Sequence, residues 1–189
     1  MHKSKFDEKS RVVEILTQSF KDNKSVNYIV KQGSKKTQHI EALIGYSYDL
    51  CSEFGSVYVN KNKTACALIL FPEKKKTTIK SILWDIRFVL KSIGISNIRK
   101  AIQRETIIKK QHPQHQFVYL WFIATEPSEQ GKGVGTELMK LIIADAKQLN
   151  RPIYLETSTS KNIPWYESLG FKIYHELDFG YKLYCMRRE

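Results

Sequence analysis

The sequence predicts an α/β fold, and three patterns carry that prediction. Residues 117–125 form an apolar run rich in aromatic and β-branched side chains, which is typical of a strand. A polar loop and a glycine-rich turn lead from this run into helical spacing of apolar residues over 136–146. Two shorter apolar runs, 56–60 and 64–71, flank a polar tetrapeptide as hairpin strands do. With 189 residues the chain can bury a substantial core, and we expect one domain over residues 1–189.

The other elements follow from the same periodicities. Apolar residues at helical spacing predict helices at residues 7–20, 26–31, 34–54, 77–93 and 96–111. After the glycine turn, the pattern predicts a strand, a short helix and two closing strands at residues 152–157, 162–169, 171–177 and 181–186. Asp7 is the expected N-cap of the first helix, and Gly55 is expected to close the third. Only six residues precede Asp7, so any strand there is expected to be short or absent.

The net charge of +12 is concentrated in the first part of the chain. Residues 1–115 contain 22 Lys and Arg against 10 Asp and Glu, whereas residues 116–189 contain nine of each. A basic half can attract nucleic acid, an anionic surface or an acidic substrate. No helix-turn-helix, zinc-finger or RNP-type signature accompanies the charge, so we favour a solvated lysine-rich surface and expect no nucleic-acid partner.

The composition also indicates where in the cell the protein is located and whether it binds a metal. No apolar run approaches the roughly 20 residues of a membrane span, and the N-terminus has no apolar signal region. The three cysteines are scattered without a C-x-x-C pair, which favours reduced, buried thiols. We therefore expect a cytoplasmic protein without a membrane partner. No cluster of His, Cys, Asp or Glu has metal-ligand spacing, so we expect no metal.

The glycine turn has the chemistry of an anion site. Gly131, Gly133 and Gly135 permit positive φ and close approach of a ligand, and the N–H groups at the start of the following helix lack partners. These features favour a pyrophosphate. The spacing matches neither a Walker loop nor a dinucleotide fingerprint, although Glu156 could stand where the latter has its ribose-binding acid. A tight strand-to-helix connection is the simpler alternative.

Two groups of motifs carry a family resemblance. Residues 130–135 resemble the Q/R-x-x-G-x-G/A motif of the GCN5-related N-acetyltransferases (GNAT), and 123–127 resemble the strand end that precedes it in that family. Residues 155–158 and 162–171 are similar to the "LETS…N-x-P-[FW]-Y-E-x-L-G-F" pattern of puromycin acetyltransferase-like members. The resemblance covers about 112–187. It departs at Phe117 and Val118, where that subgroup often carries His-Trp.

The resemblance implies a fold and a division of the chain. The implied fold is a mixed, mostly antiparallel central sheet flanked by helices. The helical pair at about 77–111 is then an insertion before the central strand. Residues 1–115 would form a basic acceptor-side half, and 116–189 the acetyl-CoA-binding half.

The resemblance also implies site residues. Those implied to bind acetyl-CoA are Ile123, Ala124, Thr125, Gln130, Gly131, Lys132, Gly133, Val134, Gly135, Thr136 and Asn162. A backbone N–H near Ile123 would polarise the thioester carbonyl. Tyr166 matches the general acid, against the alternative of a core aromatic residue beside Trp165. Glu156 is the best candidate for the base, against the alternative of a carboxylate that fixes a loop.

Other side chains are weaker candidates. Tyr119 is a lesser candidate for the base, and His112 and His115 are predicted to be loop residues. Asn162 could instead be a helix N-cap. No Ser-His-Asp order stands out, so we expect no covalent intermediate.

Together these observations predict an acetyl-CoA-dependent N-acetyltransferase that acts by direct attack in a ternary complex. The acceptor would be a primary amine of a small molecule or peptide. Two alternatives stay open, a CoA-binding module without catalysis and a basic nucleic-acid-binding protein. The segments that would surround the acceptor match no motif, so the sequence leaves the acceptor and the oligomeric state open.

Overall fold

A seven-stranded sheet organises the protein. The computed structural model describes residues 2–3 and 8–189. The strands are β1 (His2–Lys3), β2 (Gly55–Val59), β3 (Ala65–Leu70), β4 (Val118–Thr125), β5 (Ile153–Thr157), β6 (Lys172–Asp178) and β7 (Lys182–Arg188). Their order across the sheet is β1-β2-β3-β4-β5-β7-β6, and β4–β5 is the parallel pair among antiparallel ones. The mixed, mostly antiparallel sheet predicted from the family resemblance is confirmed.

Helices cover both faces of this sheet. They are α1 (Lys9–Phe20), α2 (Lys24–Ile29), α3 (Lys36–Phe54), α4 (Ile79–Phe88), α5 (Ile98–Lys109), α6 (Val134–Gln148) and α7 (Ile163–Ser168). Buried side chains of α1, α2 and α3 pack on one face, and those of α6 and α7 pack on the other. Burying apolar area on both faces of one sheet supplies most of the stabilisation of such a layered fold. Cys51, Cys66 and Cys185 are free and buried, as the sequence predicts.

The N-terminal elements are close to expectation, with one correction. β1 is two residues long and pairs with β2, which fits a short first strand. Asp7, the predicted cap of α1, lies outside the described residues. Gly55 ends α3 as predicted, but its φ of −158° is extended and not the left-handed conformation of a glycine cap, and β2 begins at the same residue. A Cβ at Gly55 would lie 1.9 Å from the carbonyl oxygen of Ile69, so the close approach of β2 and β3 requires glycine here.

The predicted helical pair is present as α4 and α5. A π-helical turn over Val89–Ile93 follows α4, and Gly94 then breaks the helix with φ +74°. Trp84 and Phe88 pack against the core, and the Phe88 ring stacks on Tyr46 at a centroid distance of 4.3 Å. By contrast, Ile79 is 82% exposed, so apolar spacing predicted this helix better than it predicted which residues are buried.

Candidate active site

The parallel strands β4 and β5 separate soon after they begin to pair. Their register contains Val118 with Ile153 and Tyr119 with Tyr154, and no later pair of these two strands. Beyond that point residues 120–125 of β4 still pair with β3, whereas 155–157 of β5 pair with β7. We call the gap between these two segments the opening. Strand edges that lack a partner carry N–H and C=O groups that an extended ligand can pair with.

A β-bulge shapes the wall of the opening. Leu120 pairs with Ile69 and Phe122 pairs with Leu68, so Trp121 is an extra residue on β4. The bulge puts Trp121 and Phe122 on the same side of the sheet, against α1 and α3. Residues 123–125 follow this bulge, and the resemblance implies that they bind the pantetheine arm of acetyl-CoA.

Two different structural requirements explain the three glycines of the turn. Gly131 and Gly133 have φ of +78° and +83°, values that favour glycine, and a Cβ at either would meet no atom within 4 Å. Gly135 instead allows close packing, because its Cβ would lie 3.1 Å from Oγ1 of Thr125. Gly133 is the N-cap of α6, a helix of 15 residues. The backbone around Gly131 and Gly133 is thus open to a ligand at the positive end of a long helix.

Polar contacts hold this turn against β4 and α7. The amide Nε2 of Gln130 donates to the carbonyl of Thr125 over 3.2 Å. The indole Nε1 of Trp165 donates to Oγ1 of Thr136 over 3.0 Å, which ties α7 to the first turn of α6. Lys132 forms an exposed ion pair with Glu129 at 2.9 Å. These residues are compatible with a diphosphate, because the open glycine backbone faces outward while its flanks are fixed.

Gly133→Glu is expected to weaken acetyl-CoA binding at least tenfold, about 1.4 kcal/mol. The added carboxylate would lie at the N-terminus of α6, where the pyrophosphate is expected, and would repel it. Calorimetric titration with acetyl-CoA measures the change. Because any side chain at this φ costs roughly 1–2 kcal/mol, Gly133→Lys is the matched control: it carries the same backbone strain with the opposite charge. If the folded Gly133→Glu and Gly133→Lys variants bound acetyl-CoA with equal affinity, the assignment of the turn as the pyrophosphate site would be refuted.

Glu156 lies in β5 with both carboxylate oxygens hydrogen-bonded. The Tyr119 hydroxyl donates to Oε2 over 2.7 Å, and Nε2 of His112 lies 2.8 Å from Oε1. The Glu156 side chain is 6% exposed. Burial, followed by the Glu156 charge, raises the pKa of Tyr119 well above its usual value, so this phenol stays protonated and acts as a donor. The arrangement fixes a buried carboxylate beside the opening and disfavours Tyr119 as a base.

His112 is the residue that sequence reasoning missed. It was predicted to be a loop residue, and it does lie in the loop before β4, but its ring contacts the Phe117 and Tyr119 rings at 5.2 Å each. The signal in the sequence that could have found it is the position of His112 at the start of the stretch, about 112–187, that the family resemblance covers. Its partner Glu156 is 44 residues away, so no local pattern could indicate the contact. His115 approaches the Tyr154 ring at 6.4 Å and does not join this group.

Tyr166 and Asn162 lie on the other side of the sheet, at α7. The Tyr166 ring packs against Trp165 at 4.8 Å and Phe171 at 5.7 Å, within the core cluster under α6. Burial raises its pKa, so the hydroxyl is protonated at neutral pH. Asn162 occupies the N-cap position of α7, yet its side chain makes no capping hydrogen bond. The N-cap interpretation of Asn162 therefore has no hydrogen bond to support it.

The two candidate catalytic groups thus lie on opposite faces of the sheet. Tyr119 packs with the α1–α3 side, and Glu156 bonds to it there, whereas Tyr166 packs with the α6–α7 side. Over residues 2–3 and 8–189, no group of three or more His, Cys, Asp or Glu side chains is arranged to hold a metal ion. Within the same residues, no helix combines the length and apolarity needed to cross a membrane.

Comparisons with known proteins bear on the family and on the fold. A family model described as the acetyltransferase (GNAT) family matches residues 100–171. An uncharacterized N-acetyltransferase of Schizosaccharomyces pombe is 31% identical over 102 residues, an alignment that covers 49% of this chain and 39% of that protein. This chain therefore spans about two fifths of the length of the curated relative it matches.

Solved structures share the fold over nearly the whole chain. One is the histone acetyltransferase HPA2 and related acetyltransferase of Corynebacterium glutamicum, with a TM-score of 0.72, 18% identity, and coverage of 99% of this chain and 93% of that chain. Another is arylalkylamine N-acetyltransferase 2 of Aedes aegypti, with a TM-score of 0.64, 17% identity, and coverage of 99% and 96%. The finer likeness to puromycin acetyltransferases rests on the motifs of residues 155–171. Over residues 100–171, which include β4, the glycine turn and α7, the chain thus matches the acetyltransferase (GNAT) family, and its fold is the one found in solved structures of acetyltransferases.

Proposed function

We propose that this protein is an acetyl-CoA-dependent N-acetyltransferase that transfers the acetyl group directly to a primary amine in a ternary complex. The observation that carries the proposal is Glu156, a buried carboxylate fixed by two hydrogen bonds at the edge of the opening between β4 and β5. The glycine turn at the end of β4 supplies a separate anion site for the pyrophosphate of the same donor.

The residues support a balanced transfer. The amine nitrogen forms a bond to the thioester carbonyl carbon as the bond from that carbon to sulfur breaks. Glu156 takes one proton from the amine, directly or through water, and Tyr166 gives one proton to the departing sulfur. The products are an N-acetylated amine and CoA with a free thiol. A backbone N–H near Ile123 would donate to the carbonyl oxygen as negative charge develops on it.

Direct attack is favoured over an acetylated cysteine. Cys185 pairs with Glu156 across β5 and β7, so it is the thiol beside this carboxylate. Burial, followed by the negative charge of Glu156, raises the pKa of Cys185 to about 12. A thiol in that environment stays protonated at neutral pH and is a poor nucleophile.

The two parts of the chain would have different tasks in one domain. Residues 116–189 contribute the glycine turn, Asn162 and Tyr166, which would bind and protonate the donor. Residues 1–115, with the helical insertion at about 77–111, contribute α2 and α5 and would border the acceptor. A cytoplasmic location fits the three free, buried cysteines.

Two measurements test the function. We expect acetyl-CoA to bind in a calorimetric titration, and we expect free thiol to be released when a panel of small amines, aminoacyl compounds and peptide N-termini is added. Binding without thiol release from any amine would favour a CoA-binding module without catalysis. Absence of acetyl-CoA binding by the folded protein would refute the proposal, and salt-sensitive DNA or RNA binding would then favour the basic nucleic-acid-binding alternative.

A further inference from the structure

Three aromatic side chains meet where α2 approaches the turn between β6 and β7. The Tyr28 ring lies 5.4 Å from Tyr181 and 5.8 Å from Phe179, and Phe179 lies 5.9 Å from Tyr181. We call Tyr28, Phe179 and Tyr181 the aromatic cluster. Tyr28 and Phe179 are 151 residues apart in sequence, so the cluster is a product of the fold.

Two cations of α5 lie against this cluster. The Lys100 ammonium lies 3.7 Å from the Tyr28 ring centroid, and the Arg104 guanidinium lies 5.8 Å from that of Phe179. Spaced four residues apart, both side chains project from one face of the helix. Cation–π contacts of this kind orient a cation without neutralising it.

Arg104 is held by neutral groups. Its Nε donates to the Tyr181 hydroxyl over 3.0 Å, and Nη2 donates to the hydroxyl of Ser25. Over residues 8–189, no carboxylate lies within ion-pair distance of its guanidinium. These two bonds use two of the five N–H donors of an arginine, and both N–H groups of Nη1 remain for a ligand. A half-buried guanidinium fixed by hydroxyls and left without an anion is suited to bind one.

This arginine lies at the same end of the sheet as Glu156. Ser25, its hydrogen-bond partner, donates its backbone N–H to the Ser158 hydroxyl over 3.4 Å, immediately after the end of β5. Tyr181, the other partner, directly precedes β7, in which Cys185 pairs with Glu156. The Arg104 charge also acts to lower the pKa of Tyr119 and of Cys185, opposing the burial that raises both. A cation and a carboxylate therefore border one region on the acceptor side.

We propose that the acceptor is a small zwitterion, a primary amine that also carries a carboxylate, and that Arg104 binds this carboxylate while Glu156 receives the amine. The inference rests on the proposed acetyl transfer and adds the substrate class. Arginine suits a carboxylate because its planar fork can donate two parallel hydrogen bonds. The rings of the aromatic cluster would pack against the apolar part of such a molecule. A polyamine would be repelled by Lys100 and Arg104.

Matched acceptors test the inference. Thiol release is measured with phenylalanine, phenylalaninamide and phenethylamine, and with alanine and alaninamide, each over a range of pH because the amines differ in pKa. We expect kcat/KM, referred to the free amine, to be at least tenfold higher for each acid than for its amide. Arg104→Gln should remove most of that preference by lowering kcat/KM for the acid and leaving that for the amide within threefold. Arg104→Lys keeps the charge but loses the planar fork of the guanidinium. Its preference for the acid should lie between those of the wild type and of Arg104→Gln.

Controls separate this inference from the transfer itself. Arg99→Gln removes an exposed cation from the same helix and should keep the preference for the acid. Calorimetry of N-acetylphenylalanine and its amide against the CoA-loaded protein tests the carboxylate site without turnover. Equal binding of these two products, equal turnover of acids and amides, or a preference that survives in Arg104→Gln would each overturn the inference. Thiol release from amides alone would overturn it and leave the proposed transfer intact.

Discussion

Replacing Tyr166 with phenylalanine is expected to lower kcat by about 10²–10⁴-fold, the usual contribution of a general acid. The ring would keep its packing against Trp165 and Phe171, and only the hydroxyl would be removed. Acetyl-CoA affinity and Tm should change little, because the hydroxyl makes no hydrogen bond to the described residues 8–189. Steady-state thiol release, calorimetry and thermal unfolding measure the three quantities.

The raised pKa of Tyr166 adds a pH signature. Burial favours the neutral phenol, so the hydroxyl keeps its proton as pH rises past the ordinary tyrosine value near 10. The kcat of the wild-type enzyme should therefore show no decline attributable to loss of this proton below about pH 10. A decline near pH 8–9 that is absent in Tyr166→Phe would mean that the phenol ionises within the working range, contrary to its buried position.

Tyr48→Phe is a suitable control for the loss of a buried phenol. Tyr48 is 1% exposed in α3 and packs in the core cluster opposite α6 and α7. Its variant should keep kcat even where it lowers Tm. If Tyr166→Phe behaved in the same way, with near-normal turnover and a lower Tm, Tyr166 would be a core residue and another group would protonate the departing thiolate.

Elements that depend on local periodicity could be predicted from the sequence. The strand, glycine turn and helix around β4 and α6 follow from an apolar run rich in aromatic and β-branched residues, from Gly131 and Gly133, which adopt positive φ, and from apolar residues at helical spacing. The α4–α5 pair follows likewise from helical spacing, whereas the short length of β1 follows from the six residues that precede Asp7. Gly55 does end α3 as predicted, but the contact that requires glycine there comes from Ile69 on the neighbouring strand, which no local pattern indicates.

Contacts across the sheet could not be predicted in this way. The bonds from Glu156 to His112 and Tyr119 span 44 and 37 residues, and the bond from Arg104 to Tyr181 spans 77. The opening between β4 and β5 depends on how far two parallel strands remain paired, and that register is set by the packing of both faces. Motif matches indicated Glu156 and Tyr166 as residues, but their positions on opposite sides of the sheet needed the fold.

The second large effect is expected for Glu156→Gln, which should lower kcat/KM by about 10²–10⁴-fold near neutral pH. The amide keeps the size of the carboxylate and can still accept a hydrogen bond from Tyr119 and donate one to His112, so the fold should be retained. It cannot take a proton from the amine. Transfer would then depend on amine that is already deprotonated in solution, and kcat/KM should rise by up to about tenfold per pH unit below the amine pKa.

Glu176→Gln is the matched control, because Glu176 is a carboxylate of the same sheet whose side chain is 49% exposed. It should leave kcat/KM near wild type at every pH. The loss in Glu156→Gln should shrink as the pH rises toward the amine pKa, since free amine then needs no base. If Glu156→Gln instead kept full activity at neutral pH and lowered Tm, the carboxylate would serve to hold the His112 loop against β4. The base would then have to be sought in water or in another side chain that borders the opening.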